Sequence, residues 1–426
     1  MTDGPLHGIR VLEFSIVLAG PWAGMQLADL GAEIIKVEQP PRGDPVRYIA
    51  SPIGASKYFQ VINRGRQSLM IDLSGPEGRE VIHRLIPSID VVLINYRPGV
   101  PQRLGIDYET LSAIRPDLIY AEISGWGHDG PLASLSASDQ TASAYGGAIA
   151  LTNAYEEDGA PHPLYPPIAG DQPTGLATAL GIVSALYHRA LTGEGQMVRT
   201  SLLRSVISMT SPNVTSNGID PVHDPAGRDL IVAALAEARE RGASYPDLVN
   251  ARRRITSPPL YNGAYRVGDG GIAFGAVTPA NRAALRRGME LIGDDTDAPG
   301  FDISAPGALD EVNQRHAEIK ARLLTRTLAD WMERFNAEGA PAAPVNFPED
   351  LVDDPQAMHH FAEVEHPVLG TTKLVKPMVD LDRTPTSIRQ AAPMPGADSA
   401  AVARSAGYSD EEVAGLIESG VLFPGN

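Results

Sequence analysis

The sequence predicts an α/β protein whose larger part is a parallel sheet covered by helices, interrupted by a smaller α+β segment. Two observations carry this. Short runs rich in branched apolar residues alternate with helical stretches through the first half, and the pattern fades between 213 and 346 before short strands return. Alternating strands and helices indicate βαβ units, because a parallel pair needs a helical crossover. The expected organisation is a large domain over 1–212, a small domain over 213–346, and a part, 347–426, that completes the large one. A chain of 426 residues has room for two or three domains of ~150 residues.

The first strand is read at 8–14 (Gly-Ile-Arg-Val-Leu-Glu-Phe). Ala19-Gly20-Pro21 opens a helix that reaches Leu30, and Gly31 closes it as a C-terminal glycine. Further strands are read at 33–38, 68–73, 90–96 and 118–124, and the clearest intervening helix spans 76–85. Residues 125–170, rich in Gly, Ser, Ala and Pro, read as loop with one short helix near 142–150. A long helix follows at about 173–190, ending at Gly193, and then a strand at 196–202. The weaker segment holds a charged helix at 234–241, an antiparallel piece at 259–276 turning at Gly268-Asp-Gly-Gly271, and helices at 279–292, 309–323 and 327–338. Short strands at 364–368 and 373–381 complete the chain's pattern.

Charge narrows the function. With 52 acidic against 35 basic side chains the net charge is −17, a field that repels nucleic acid and anionic membrane. The chain has no cysteine, which removes disulfides, thiol nucleophiles and zinc–thiolate centres. The first residues lack the basic and apolar blocks of a signal peptide, and the longest mostly apolar run, 176–187, is too short for a bilayer. A cytoplasmic protein with a small-molecule ligand, no metal, and neither nucleic acid nor membrane as partner is expected.

The informative segment is 168–180, Ile-Ala-Gly-Asp-Gln-Pro-Thr-Gly-Leu-Ala-Thr-Ala-Leu. Pro173 suits the first turn of a helix, so Asp171 falls at the helix start. Unpaired N–H groups and the dipole there favour an anion, which predicts an ionised carboxylate at neutral pH. Gly170 and Gly175 are read as leaving backbone open to a ligand, with donors for a developing oxyanion. On these residues alone a simple helix cap is preferred to a reactive carboxylate, and spacing does not settle the choice.

Motifs along nearly the whole chain, apart from 216–254, resemble the family III CoA-transferases, which include formyl-CoA and carnitine CoA-transferases and α-methylacyl-CoA racemases. They run in one order: Leu6-His-Gly-Ile-Arg-Val-Leu-Glu-Phe14, Ala19-Gly-Pro21, Leu30-Gly-Ala-Glu-Ile-Ile-Lys-Val-Glu38 with Gly43-Asp44, Asn63-Arg-Gly-Arg66 and Ile71-Asp-Leu73. Asn95-Tyr-Arg-Pro-Gly99, Arg103-Leu-Gly105, Ser124-Gly-Trp-Gly127 and Gly130-Pro131 follow. Gly170-Asp171, His188-Arg189, Thr192-Gly-Glu-Gly-Gln196, Gly339-Ala-Pro-Ala-Ala-Pro-Val345 and Gly407-Tyr-Ser-Asp-Glu-Glu412 complete the series.

The resemblance implies a Rossmann-like large domain, an interlocked homodimer, and coenzyme A, bound as acyl-CoA, with a carboxylic acid as second substrate. It makes Asp171 the nucleophile, attacking acyl-CoA to give an aspartyl anhydride and then an aspartyl-CoA thioester. It places CoA against Val17, Leu18, Ala19, Ile71, Asp72, Leu73, Asn95, Tyr96, Arg97, Arg103, Ser138 and Asp139, with the arginines on phosphate. Lys36, Arg42 and Arg47 are read as an extended basic rim.

Departures from the family bear on the reaction. Racemases of the family carry a His before the Asp where this chain has Ser138-Asp139, and serine cannot exchange an α-proton at neutral pH. Transfer is therefore preferred, with racemisation or isomerisation of an acyl-CoA as the alternative. Formyl-CoA transferases carry Gln where this chain has Leu18, and Lys and Tyr in the 136–138 region where Ser136 and Ser138 stand; the formyl/oxalate pair is not expected. A nicotinamide dehydrogenase is set aside because residues 15–24 lack Gly-x-Gly-x-x-Gly spacing.

Overall fold

A computed structural model of the chain describes residues 4–164, 168–214, 228–255, 258–291, 293–303 and 305–425. These fall into two compact units. The larger comprises 1–152, 163–211 and 360–426, and the smaller comprises 153–162 and 212–359, against the expected small domain at 213–346. Of the unread segment 216–254, residues 216–227 lie outside the described residues, as does Ile292 at the end of the helix read at 279–292.

The larger unit is built on a seven-stranded sheet of β1 (Arg10–Phe14), β2 (Glu33–Glu38), β3 (Arg66–Ile71), β4 (Val91–Ile94), β5 (Ile119–Ser124), β6 (Met197–Ser201) and a short edge strand, Leu422–Phe423. From the edge, the order is Leu422–Phe423, β3, β2, β1, β4, β5, β6. All pairs are parallel except the edge strand, which runs antiparallel to β3. Strand order 3-2-1-4-5-6 is that of doubly wound dinucleotide-binding sheets, so the α/β, Rossmann-like class is as predicted. Alternation along each strand builds two cores. Val11, Ile34, Val91 and Leu93 pack into one, under the helices Ala19–Asp29 and Asp171–Thr192. Leu12, Ile35, Val92 and Ile94 pack into the other, under Pro76–Leu85 and the helices Ser399–Ser405 and Asp410–Glu418.

Several boundaries moved for physical reasons. β3 begins at Arg66, two residues early, because that guanidinium is buried against Glu13 and the Ile62 carbonyl. The helix read at 142–150 is two, Asp139–Tyr145 and Ala148–Leu151, broken at Gly147 with φ +84. Gly146 is pressed onto Val206, where an added Cβ would lie 2.4 Å from Cγ1. The late strands are Phe361–His366 and Gly370–Val375, an antiparallel hairpin rather than 364–368 and 373–381. Its turn is held by His366 Nδ1, which accepts from the Val368 and Leu369 N–H groups.

In the smaller unit, Ala264–Arg266, Gly271–Phe274 and Ala342–Pro344 form an antiparallel sheet. Helices Pro279–Met289, Ala308–Leu323 and Leu328–Ala337 cover a core centred on Trp331 and Phe335. The Gly268–Gly271 turn is a hairpin, with Gly268 donating to the Arg326 carbonyl. The charged helix is longer than expected, Arg228–Glu240, and packs on a second, Tyr245–Ile255. No helix among the described residues is long and apolar enough to cross a membrane.

Candidate active site

Strand order reverses between β1 and β4, and in open parallel sheets ligands lie at that point, beyond the carboxyl ends of the strands. A cleft of ≈ 800 Å³ occupies this place. Its walls are the segments that leave β1 (16–19), β2 (37–39 and 43–45), β3 (71–74), β4 (95–97) and β5 (123–125), together with 137–139 and Asp171. The structure brings every cofactor-binding residue named from the sequence into this lining: Val17, Leu18, Ala19, Ile71, Asp72, Leu73, Asn95, Tyr96, Arg97, Arg103, Ser138 and Asp139. His128, beside Glu122 at 3.5 Å, and His162, beside Glu156 at 3.2 Å, do not line it.

Asp171 is the first residue of its helix. That helix packs along Ala19–Asp29, and Gly175 permits the approach: an added Cβ would lie 2.7 Å from the Ala19 carbonyl and 2.9 Å from Trp22. Gly170 likewise rests on Asp139, 2.7 Å from a hypothetical Cβ. Both glycines therefore serve close packing and are not open backbone for a ligand, which corrects the sequence reading. The N–H groups of Gly170 and Asp171 are also already used, donating to Asp139 Oδ2 at 2.9 and 2.7 Å.

The same geometry corrects the expected charge of Asp171. Its carboxyl is pushed up to about 7, first by burial and then by the Asp139 carboxylate, against a hydrogen bond from the Ala19 N–H. Asp139 has taken the helix-start donors that would have favoured ionisation, so the dipole argument does not decide this site. A carboxylate with a pKa near 7 is a better base and nucleophile than an ordinary one, though about half is protonated at neutral pH.

The loop from β1 into the Ala19 helix is pinned from three sides. Asn95 exchanges two hydrogen bonds with Ile16, accepting from its N–H at 3.0 Å and donating to its carbonyl at 2.8 Å. Lys36 Nζ donates to the Ser15 carbonyl at 2.7 Å, and Asp44 accepts from the Val17 N–H at 3.3 Å. Val17 stands at φ +68, a left-handed conformation that strains a β-branched residue.

Lys36 and Arg47 do not form a basic rim. Both are fully buried: Lys36 pairs with Glu13 at 3.3 Å and Asp44 at 3.0 Å, and Arg47 with Glu38 at 2.5 Å. Against the cost of burial, Arg47 holds Glu38 below the usual carboxylate range. Arg42 is exposed, over the Tyr48 ring, and outside the lining. The Tyr96 phenol is pushed up to about 12, by burial and then by Glu38, Asp44 and Glu13, so it stays protonated.

The cations that do reach the cleft are Arg97, Arg103 and Arg79. Arg79 was missed by sequence reasoning. It donates to the Leu73 and Ser74 carbonyls at 3.1 and 2.7 Å, at the mouth of β3. The signal was present: an arginine in the first turn of the helix that leaves a parallel strand, at Pro76-Glu-Gly-Arg79.

A model of CoA-transferase family III matches residues 6–399. The chain belongs to that family. A formyl-CoA:oxalate CoA-transferase of Rhodopseudomonas palustris is 31% identical to this CoA-transferase, over 98% of this chain and 97% of its own. A succinyl-CoA:glutarate CoA-transferase of Homo sapiens is 27% identical, over 98% and 90%. Among solved structures, a hypothetical protein of Mycobacterium tuberculosis aligns with TM-score 0.72 at 25% identity, covering 94% of this chain and 99% of its own. A CaiB/BaiF family protein of Brucella suis aligns with TM-score 0.69 at 26% identity, covering 95% and 100%.

Proposed function

We propose that this CoA-transferase moves CoA from an acyl-CoA to a carboxylic acid through covalent intermediates on Asp171. One observation carries the reading: among the carboxyls that line the switch-point cleft, that of Asp171 is pushed up to about 7 and has the Ala19 N–H beside it. An Asp171 oxygen attacks the thioester carbonyl carbon, the C–S bond breaks, and CoA leaves as thiolate with the acyl group held as a mixed anhydride. The thiolate then attacks the Asp171 carbonyl carbon, releasing the acid and leaving an aspartyl-CoA thioester. An acceptor carboxylate attacks that thioester and repeats the two steps in reverse order, so Asp171 is regenerated. The overall exchange is of one thioester for another of similar energy, and the covalent relay divides it into easier steps.

Arg79, Arg97 and Arg103 supply guanidinium groups suited to the phosphates of CoA. The apolar Ile16, Val17 and Leu18 line the same cleft and offer a surface for pantetheine and acyl carbon. Asp139 positions the Asp171 backbone through the Gly170 and Asp171 N–H groups and raises the basicity of Asp171. A second copy of the chain is expected to cover the stripe Leu176, Leu180, Tyr187 and Leu191, exposed at 39, 69, 69 and 68% along one side of the Asp171 helix. The test is a mass-spectrometric screen of acyl-CoA and acid pairs with wild-type enzyme and Asp171→Ala. Exchange by the wild type alone supports the reading; full exchange by the variant overturns it.

A further inference from the structure

We propose that Asp44 is a positioning residue for the reaction: through Val17 it sets the backbone that points the Ala19 N–H at Asp171. The inference rests on Asp171 as the reacting carboxyl. Asp44 is fully buried and held at several points. It pairs with Lys36 Nζ at 3.0 Å, accepts from the Val46 N–H at 3.1 Å, and its own N–H donates to Glu38 at 3.0 Å. Both its oxygens lie 3.3 Å from the Val17 N–H.

Val17 needs such a partner. At φ +68 a valine is disfavoured, and the residue is 44% exposed, so packing covers only part of it. Two residues on, Ala19 begins a helix whose start packs on the first turn of the Asp171 helix, where a Cβ on Gly175 would lie 2.7 Å from the Ala19 carbonyl. The Ala19 N–H faces the Asp171 carboxyl. Gly20 leaves no slack, since an added Cβ would lie 2.3 Å from Ser15 Cβ. A change at Val17 is therefore passed directly to the donor facing the reacting carboxyl. Lys36 completes the device: it neutralises Asp44 and, through the Ser15 carbonyl, grips the same loop from below.

The test is a cycle of Asp44→Asn with Val17→Gly, read as steady-state kinetics at saturating acyl-CoA. Asn keeps the size of Asp but loses the charge that binds Lys36 and Val17 together. In the wild-type background Asp44→Asn lowers kcat about tenfold, ~1.4 kcal/mol, while KM for acyl-CoA changes by less than about twofold. In the Val17→Gly background the same change costs less than about threefold, because glycine adopts φ > 0 without a holder. Equal losses in the two backgrounds, or a loss confined to KM, overturn the proposal. Circular dichroism and a thermal melt on each variant identify unfolding; if Asp44→Asn does not fold, Asp44→Glu and Val17→Gly form the cycle with the same criteria. Failure of the Asp171 reading is separate, since it appears as activity surviving in Asp171→Ala whatever Asp44 does.

Discussion

Replacing Asp139 by Asn tests the electrostatic coupling of the two carboxyls. Asn keeps an oxygen for the Gly170 and Asp171 N–H groups, which now reach Asp139 Oδ2 at 2.9 and 2.7 Å, and removes the negative charge. The Asp171 carboxyl stands at about 7 against an ordinary 3.8, with burial the larger cause and Asp139 the second. Asp139 therefore raises the carboxyl less than burial does, and in the variant the pKa falls below about 7 while burial keeps it above the ordinary value. At pH 6, where about one-tenth of wild-type Asp171 is ionised, the ionised fraction rises. The assay is kcat/KM for acyl-CoA from pH 5 to 9, whose acid limb follows the carboxyl of the free enzyme. The limb moves to lower pH, and the plateau falls modestly because a less basic carboxylate attacks more slowly. An unmoved limb, or one displaced upward, refutes the coupling.

Four further outcomes follow from the same geometry. Because the folded pKa of Asp171 is raised, native protein binds an extra proton between the unfolded value of 3.8 and about 7, and stability is lost as pH rises through that window. Asp171→Asn removes this loss, so thermal melts show it more stable than wild type at pH 8 by up to ~4 kcal/mol, and equal at pH 4. Arg103→Ala raises KM for acyl-CoA by ~10-fold or more with kcat little changed, as expected for a lost charge-assisted contact to phosphate, and the effect shrinks in high salt. Gly175→Ala forces the two helix starts apart and costs ~1–3 kcal/mol of stability, read by chemical denaturation, with a fall in kcat. Light scattering reports twice the chain mass for wild type, and Leu180→Glu with Tyr187→Glu shifts it to a single chain.

Much of the fold was legible because its signals are local. The branched runs at β1, β2, β4 and β5 bury both faces and so read as strands, and Gly31 and Gly193 mark helix ends by backbone conformation alone. The two-residue edge strand Leu422–Phe423 was not legible, since it exists through pairing with β3, about 350 residues earlier in the chain. The site divided in the same way. Positions that sit at strand ends, such as Asn95 and Ile71–Leu73, follow from the topology of a parallel sheet. The ionisation of Asp171 is set first by burial and then by Asp139, 32 residues away, which takes the N–H groups that a local argument assigned to Asp171 itself. Lys36 and Arg47 look like surface cations in sequence; only the fold shows them buried in ion pairs with Glu13, Asp44 and Glu38.

The covalent state of Asp171 during turnover is the most direct test of the mechanism. Enzyme incubated with acyl-CoA is quenched with hydroxylamine or borohydride, digested, and the peptide containing Asp171 is analysed by mass spectrometry. Conversion of the Asp171 carboxyl to the hydroxamate or the alcohol, dependent on acyl-CoA and absent from Asp139, is the predicted result. An unmodified Asp171 peptide from enzyme that is exchanging CoA would contradict the covalent mechanism.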